Sequence, residues 1–248
     1  MVATKPEFEK FLQEVDATTY QHIDLPYGLS LPGKDHSKKL QAVYRMDLAG
    51  KRVLDVGCYY GLYSHEAVRR GASSAVGVEL NPDRYKIAKK LAQLMDDNVS
   101  IVNGDIMDVD LDGQFDVVLF LSVLHHVLDP IAVVERLASL STEYVVVEFC
   151  SITHRLKRKG DGDSQPDGWY QRWLEWRRRF LLGLLDKDLG IILTGELNPR
   201  DPRGYDWTFF FNEKAFHDIF VVQHKLFSSV EFVPSPQKRN RILAFCKK

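Results

Sequence analysis

The stretch VLDVGCYYGLYS, residues 53–64, decides the fold. It begins with apolar and β-branched residues typical of a buried strand, carries an acid at Asp55, and turns through Gly57 and Gly61 into a segment with helical periodicity. A strand that turns through glycines into a helix is the first unit of many nucleotide-binding α/β proteins. Two tyrosines, Tyr59 and Tyr60, stand in this turn, where such proteins favour small residues.

Two phosphate-binding patterns are excluded for the turn. A dinucleotide fingerprint G-x-G-x-x-G beginning at Gly57 requires glycine at positions 59 and 62, which are Tyr59 and Leu62. The P-loop pattern GxxxxGK[ST] does not occur in the sequence. Because glycine is needed where a backbone touches a pyrophosphate, the turn favours a nucleoside ligand without a diphosphate.

Strands and helices alternate outward from this turn. The predicted strands cover 52–58, 74–80, 99–105, 115–123 and 143–149, and the predicted helices cover 62–71, 81–94 and 130–140. Near the C-terminus, a helix over 212–220 precedes two consecutive strands, 224–233 and 241–247. The pattern predicts an α/β fold with a doubly wound, mainly parallel seven-stranded sheet and an antiparallel C-terminal hairpin.

Asp55, Gly57 and Gly61 form the pattern D-x-G-x-x-x-G. This resembles the first motif of the class I S-adenosylmethionine-dependent methyltransferases, and the resemblance covers roughly residues 40–150. It implies a Rossmann-like methyltransferase fold with S-adenosyl-L-methionine as cofactor. The loop, including Cys58 and Tyr59, would wrap the amino-acid end of the cofactor, and Asp55 would face its ammonium group.

The resemblance places further cofactor contacts at the ends of the next strands. Glu79 would accept both ribose hydroxyls, unless it is only an acid before a helix. Asp105 would accept from the adenine amino group, although an aspartate here is equally typical of a turn. The other expected cofactor contacts are Leu80, Ile106, Leu121 and Ser122.

Three titratable residues are the candidates for catalysis. His126, His125 and Glu148 lie at or near strand ends where the transferred methyl is expected, and His126 is preferred over His125 as a general base. The alternative is that the two histidines only cap and pack. His154 and His22 lie on flanking segments. No cluster has the spacing of metal ligands, so no metal is expected.

The segment 150–208 is too long for an ordinary connection, and we interpret it as an inserted helical substrate lid. Tryptophans recur every three or four residues along 168–185, which predicts an amphipathic helix with arginines beside its apolar face. The helix would pack on the domain, form the acceptor pocket, or contact RNA or a membrane surface. The candidate substrate residues are Trp169, Trp173, Arg200 and Tyr205.

Composition bounds the remaining possibilities. The chain has 248 residues and a net charge of −1, which gives no overall field for nucleic acid. It shows neither a secretory signal nor an apolar stretch long enough for a membrane span, so a cytoplasmic location is predicted. The three cysteines fit no CxxC spacing and are predicted to be reduced core thiols. We expect a single domain over 1–248, with residues 1–48 as an N-terminal cover.

The function predicted from the resemblance is methyl transfer from S-adenosylmethionine to oxygen, or less favourably nitrogen, of a small-molecule acceptor. Residues 22–57 also look like the group related to tRNA wobble-uridine methyltransferases, some of which use a carboxylated cofactor. An RNA-modifying methyltransferase is therefore an alternative, and a non-catalytic methyltransferase-like binding module is another. The sequence leaves open the acceptor, the methylated atom, the need for a metal and the oligomeric state.

Overall fold

The computed structural model describes residues 2–15, 20–151, 173, 176, 192–196, 207–238 and 240–248. The described helices are α1 (Lys5–Glu14), α2 (Ser37–Val43), α3 (Leu62–Arg69), α4 (Pro82–Met95), α5 (Pro130–Leu140) and α6 (Glu213–His217). The described strands are β1 (Ile23–Asp24), β2 (Ser30–Leu31), β3 (Arg52–Val56), β4 (Ser74–Glu79), β5 (Val99–Asn103), β6 (Phe115–Leu121), β7 (Ser141–Cys150), β8 (Ile192–Glu196), β9 (Trp207–Phe211), β10 (Ser229–Pro234) and β11 (Arg241–Lys247). The predicted alternation of strands and helices between residues 52 and 149 is confirmed.

Seven strands form one sheet in the order β10-β11-β7-β6-β3-β4-β5. β3 pairs in parallel with both β4 and β6, and β4 pairs in parallel with β5. β10 and β11 are antiparallel, with Ser229 opposite Lys247. The predicted fold class, a mainly parallel seven-stranded sheet with an antiparallel C-terminal hairpin, is confirmed.

The described chain divides into two compact units. The first comprises Met1–Leu121 and Arg136–Val146, and the second comprises Ser122–Glu135 and Val147–Lys248. The first unit contains β3, β4, β5 and β6, whose carboxyl ends come to one edge of the sheet because the strands are parallel. The single domain over 1–248 and the cover over 1–48 stay predictions.

In the first unit, side-chain chemistry sets where the helices begin and end. The Asn81 side chain accepts hydrogen bonds from the backbone N–H groups of Asp83 and Arg84, and Pro82 is the first residue of α4. After α3 the chain passes through Gly71 at a φ of 99°, a conformation that favours glycine. The predicted N-cap and glycine stop are confirmed.

A close contact in the first unit depends on Gly77 in β4. A Cβ at this position would lie 2.8 Å from both the Cys58 Sγ and the Ile101 Cδ1. Cys58 and Ile101 belong to a buried apolar cluster with Ala88 and Ala92 of α4. Because Gly77 has no side chain, the Cys58 side chain can pack directly against the backbone of β4.

We expect Gly77→Ala to lower the free energy of unfolding by about 1–3 kcal/mol, because the added methyl overpacks this cluster. Urea unfolding of the purified variant measures the loss. Combining it with Cys58→Ala should recover part of the loss, since the Sγ that the methyl meets is then absent. If Gly77→Ala alone is as stable as the wild type, the cluster accommodates the added methyl group.

The second unit has a core of phenylalanines. Phe149 of β7 stacks on Phe216 of α6 with ring centroids 5.0 Å apart, and Phe216 meets Phe220 at 4.7 Å. All three are almost completely buried, as is Phe211 of β9. The Asn212 side chain accepts from the Ala215 N–H, so its predicted role as the N-cap of the last helix is confirmed.

The second unit also contains a strand pair that the sequence analysis did not predict. β8 and β9 are antiparallel, with Ile192 opposite Phe211. β8 lies inside the segment 150–208, which the tryptophan spacing led us to interpret as helical. Trp173 and Trp176 are helical, as predicted. The predicted helix 212–220 ends earlier as an α-helix and continues in wider π-helical turns over Asp218–Gln223.

The three cysteines, Cys58, Cys150 and Cys246, are free and buried, as predicted. Over the described ranges, every helix is too short or too polar to cross a bilayer.

Candidate functional site

The turn after β3 has an unusual backbone. Gly57, Tyr59 and Gly61 have φ values of 75°, 59° and 86°, all in the left-handed region. The N–H groups of Gly57 and Cys58 both donate to the Val78 carbonyl, at 2.8 and 3.1 Å. The turn is thereby fixed to the end of β4. Left-handed backbone is unfavourable for tyrosine, so Tyr59 must be held by its surroundings.

Glu79 provides that restraint. Its Oε2 accepts from the Tyr59 N–H and its Oε1 accepts from the Asn81 N–H, both at 2.9 Å. The Glu79 carboxylate is 5% exposed, and each of its oxygens can accept one more hydrogen bond. Glu79 therefore stands before a helix with its carboxylate directed at the turn, and its contact with the ribose stays a prediction.

Asp55 lies deeper than Glu79. It is 2% exposed, and its Oδ2 accepts from the Ser64 hydroxyl at 2.9 Å. The pKa of Asp55 is raised from 3.8 to about 7, chiefly by burial and also by the nearby negative charge of Glu79, while the Ser64 hydrogen bond opposes the shift. The expected contact of Asp55 with a ligand ammonium stays a prediction.

This shift makes stability depend on pH. Between about pH 4 and 7 the folded chain binds more protons at Asp55 than the unfolded chain, so stability falls as pH rises and stays reduced above pH 7. Asp55→Asn carries no charge to bury. The melting temperature of the variant minus that of the wild type should therefore increase from pH 4 to pH 8. Asp110→Asn, at an exposed carboxylate, is the matched control and should show no such gain. A constant difference for Asp55→Asn across this range would contradict the assignment.

Asp105 and its neighbours lie past the end of β5. Asp105 is exposed, and its Oδ1 accepts from the Met107 N–H at 3.0 Å, which is the turn geometry that the sequence left open. The Asn103 side chain donates to the carbonyls of Glu79 and Leu80, so the ends of β4 and β5 are tied together. Leu80 and Met107 are large apolar side chains that are 52% and 43% exposed. Ile106 is buried.

The second unit holds a buried acid with several donors. Glu148 is 1% exposed and accepts from the hydroxyls of Ser122 and Ser235, the latter at 2.6 Å. Arg241 Nη1 lies 3.4 Å from the Glu148 Oε2. Ser122 follows β6 with a left-handed φ of 67°, and its bond to Glu148 helps to hold that conformation.

Arg241 also determines the state of His125. Arg241 Nη2 lies 3.2 Å from the His125 Nε2. Because a guanidinium only donates, this Nε2 must accept, so His125 is neutral and carries its proton on Nδ1. The His125 and His126 rings lie 3.9 Å apart, and His126 is half-buried. The Nε2 of His125 is thus committed to Arg241.

The structure brings the predicted residues together in two groups. The first unit contains Asp55, Gly57, Cys58, Tyr59, Gly61, Glu79, Leu80, Asp105, Ile106 and Leu121. The second contains Ser122, His125, His126 and Glu148. Trp173 is 43% exposed, and His22 bonds to the exposed Asp24. His154, Trp169, Arg200 and Tyr205 lie outside the described residues. Within the described ranges, no three His, Cys, Asp or Glu side chains are grouped so that they could hold a metal ion.

The sequence analysis missed four residues that support these groups: Gln21, Ser64, Ser235 and Arg241. Arg241 gave one usable signal, because an apolar run from Ile242 to Cys246 follows it in the strand, and a cation beside such a run needs a partner. Gln21 gave none, since it belongs to no motif and reaches the turn only through the fold.

The chain is similar to known proteins in both sequence and fold. The model of a family described as a methyltransferase domain matches residues 34–220. The ubiquinone biosynthesis O-methyltransferase of Xanthomonas euvesicatoria pv. vesicatoria is 36% identical over 98 residues, which cover 39% of this chain and 41% of that protein. The protein of the same name from Psychrobacter arcticus is 37% identical over 128 residues, covering 50% of this chain and 48% of that protein. The chain spans less than half the length of these relatives.

Two solved structures show the same fold. The N-terminal domain of EvdMO1 with SAH bound gives a TM-score of 0.67 at 16% identity and covers 99% of this chain and 98% of that one. The S-adenosylmethionine dependent methyltransferase from Mesorhizobium loti gives 0.55 at 14% identity, covering 87% of this chain and 99% of that one.

Proposed function

The chain belongs to the methyltransferase domain family, and from that premise we propose that it transfers a methyl group from S-adenosylmethionine to oxygen, or less favourably nitrogen, of a small-molecule acceptor. The observation that carries the proposal is the Glu79 carboxylate. Two backbone N–H groups orient it toward the glycine turn, and each oxygen keeps one acceptor position for a ribose hydroxyl.

The rest of the first unit suits the same ligand. Gly57 and Gly61 carry no side chain, so the protein backbone of the turn can come close to the cofactor. Leu80 and Met107 follow β4 and β5, and their exposed apolar side chains offer a place for a flat base. Asp55 lies behind the turn, where an approaching ammonium group would favour its ionised form.

When bound, the sulfonium supplies an electrophilic methyl group. The protein has to align the acceptor and exclude water, because methyl transfer is an in-line displacement. For a hydroxyl acceptor, we assign His126 the role of general base: its imidazole takes the hydroxyl proton as the new carbon–oxygen bond forms. His125 and Glu148 then serve as positioning residues, since Arg241 engages both.

The acceptor is the open element of the proposal. The EvdMO1 structure that matches the whole chain was also crystallised in the presence of SAH and D-fucose, and the named relatives act in ubiquinone biosynthesis. These names support a small-molecule acceptor that is methylated on a hydroxyl group. The likeness of residues 22–57 to the wobble-uridine group and the cytoplasmic location stay predictions.

A transfer assay with methyl-labelled S-adenosylmethionine tests the proposal. The acceptor panel contains sugars, phenols, small amines and bulk tRNA. We expect label on a hydroxylated small molecule. Label on tRNA alone would establish the RNA-modifying alternative, and cofactor binding without label on any class would favour the non-catalytic module.

A further inference from the structure

We infer that Gln21 is a positioning residue that holds the turn 57–62 in its cofactor-binding conformation, so that the N-terminal segment 20–36 and the cofactor are coupled. The inference rests on the proposed function, because it assigns the cofactor to this turn.

Gln21 inserts its side chain against the turn. It is 3% exposed, and its Oε1 accepts from the Tyr60 N–H at 3.3 Å and from the Leu62 N–H at 3.4 Å. Its Nε2 donates to the Cys58 carbonyl at 3.4 Å. A single amide thus bonds to three of the backbone groups between residues 58 and 62.

The other N–H groups of the turn have acceptors within the sheet or the turn. Gly57 and Cys58 donate to Val78, Tyr59 donates to Glu79, and Gly61 donates to the Cys58 carbonyl. Gln21 accepts from two further N–H groups of the turn, those of Tyr60 and Leu62. Tyr60 and Leu62 are 6% and 4% exposed, so both hydrogen bonds to Gln21 are shielded from water and their loss is costly.

The segment that carries Gln21 is itself tightly fixed. A Cβ on Gly33 would lie 2.4 Å from the Gln21 carbonyl carbon, so the two backbone stretches pass each other in direct contact. The His22 N–H donates to the Lys34 carbonyl at 3.1 Å. Tyr20 meets the Tyr59 ring edge-on with centroids 5.8 Å apart. Gln21 is held on both sides and can restrain the turn.

Two opposite roles follow from this geometry. As a clamp, Gln21 keeps the turn in its cofactor-binding conformation. Its loss lowers the fraction of molecules in that conformation, and cofactor binding weakens in proportion. As a gate, its amide oxygen occupies the amino end of α3, where a ligand carboxylate would bind, and its loss tightens binding. We favour the clamp, because the same side chain also donates to the Cys58 carbonyl, a contact that competes with no anion.

Gln21→Met separates the roles, because methionine keeps the length of the side chain and removes its hydrogen bonds. We expect the dissociation constant of S-adenosylhomocysteine, measured by titration calorimetry, to rise about tenfold. Gln13→Met, at an exposed site on α1, is the matched control and should bind like the wild type. Unchanged or tighter binding by Gln21→Met overturns the clamp.

Hydrogen exchange on the wild type tests the coupling without any variant. Coupling is reciprocal, so S-adenosylhomocysteine should slow exchange in residues 20–36 as well as in 57–62. Slowing confined to 57–62 overturns the inference and leaves the proposed function standing. Failure of the wild type to bind the ligand at all overturns both.

Discussion

Glu79→Ala is expected to weaken the binding of S-adenosylmethionine and S-adenosylhomocysteine by roughly a hundredfold or more. Each hydrogen bond to a charged group contributes about 1.5–3 kcal/mol, and this variant loses both proposed bonds to the ribose. It also removes the acceptor of the Tyr59 N–H, which holds a tyrosine in the left-handed region. Titration calorimetry measures the change.

Glu143→Ala is the control for this variant, because it removes a glutamate of the same unit that pairs with Lys51. Its cofactor affinity should equal that of the wild type. Glu79→Gln should fall between the wild type and Glu79→Ala, since the amide keeps one oxygen acceptor. Wild-type affinity in Glu79→Ala would show that the ribose is bound elsewhere.

His126→Ala is expected to lower turnover by about 10²–10⁴ while cofactor affinity stays unchanged, because a general base contributes this much to proton transfer. The measurement is initial rate against pH with the acceptor that the labelling assay identifies. The acidic limb of the wild-type profile, where the imidazole becomes protonated, should disappear in the variant.

His217→Ala replaces a partly exposed histidine of the same unit and should leave the rate and its pH profile unaltered. His125→Ala should have a smaller effect than His126→Ala, since His125 accepts from Arg241 and acts through its neighbour. If His126→Ala retains the wild-type rate, the two histidines have only a structural role in capping and packing, which is the alternative given in the sequence analysis.

The sequence predicts the first unit well because its information is local. Asp55, Glu79 and Asp105 each follow or end an apolar run, and a parallel sheet brings the ends of such runs to one edge. Asn81 and Gly71 mark helix ends by their own backbone and side-chain chemistry. These features need no knowledge of distant contacts.

What the sequence does not disclose depends on contacts between distant residues. Gln21 meets the Cys58 carbonyl across 37 positions, and Arg241 meets Glu148 across 93. Neither pairing leaves a local motif. The strand β8 is not predicted for another reason: the periodic tryptophans along 168–185 favour a helical interpretation of the segment 150–208 in which it lies.

The protonation of His125 shows why a pattern of residue types cannot assign roles. The pair His125 and His126 looks equivalent in sequence. Arg241 distinguishes them, because its guanidinium can only donate and thereby commits the Nε2 of His125. The role of His126 as general base stays a prediction, which the two histidine variants test.

The most direct test of the cofactor placement is a crystal structure with S-adenosylhomocysteine. We expect the ribose hydroxyls within hydrogen-bonding distance of both Glu79 oxygens and the adenine against Leu80. A structure in which Tyr59 and Tyr60 fill that space, with the nucleoside bound at another part of the chain, would contradict this placement.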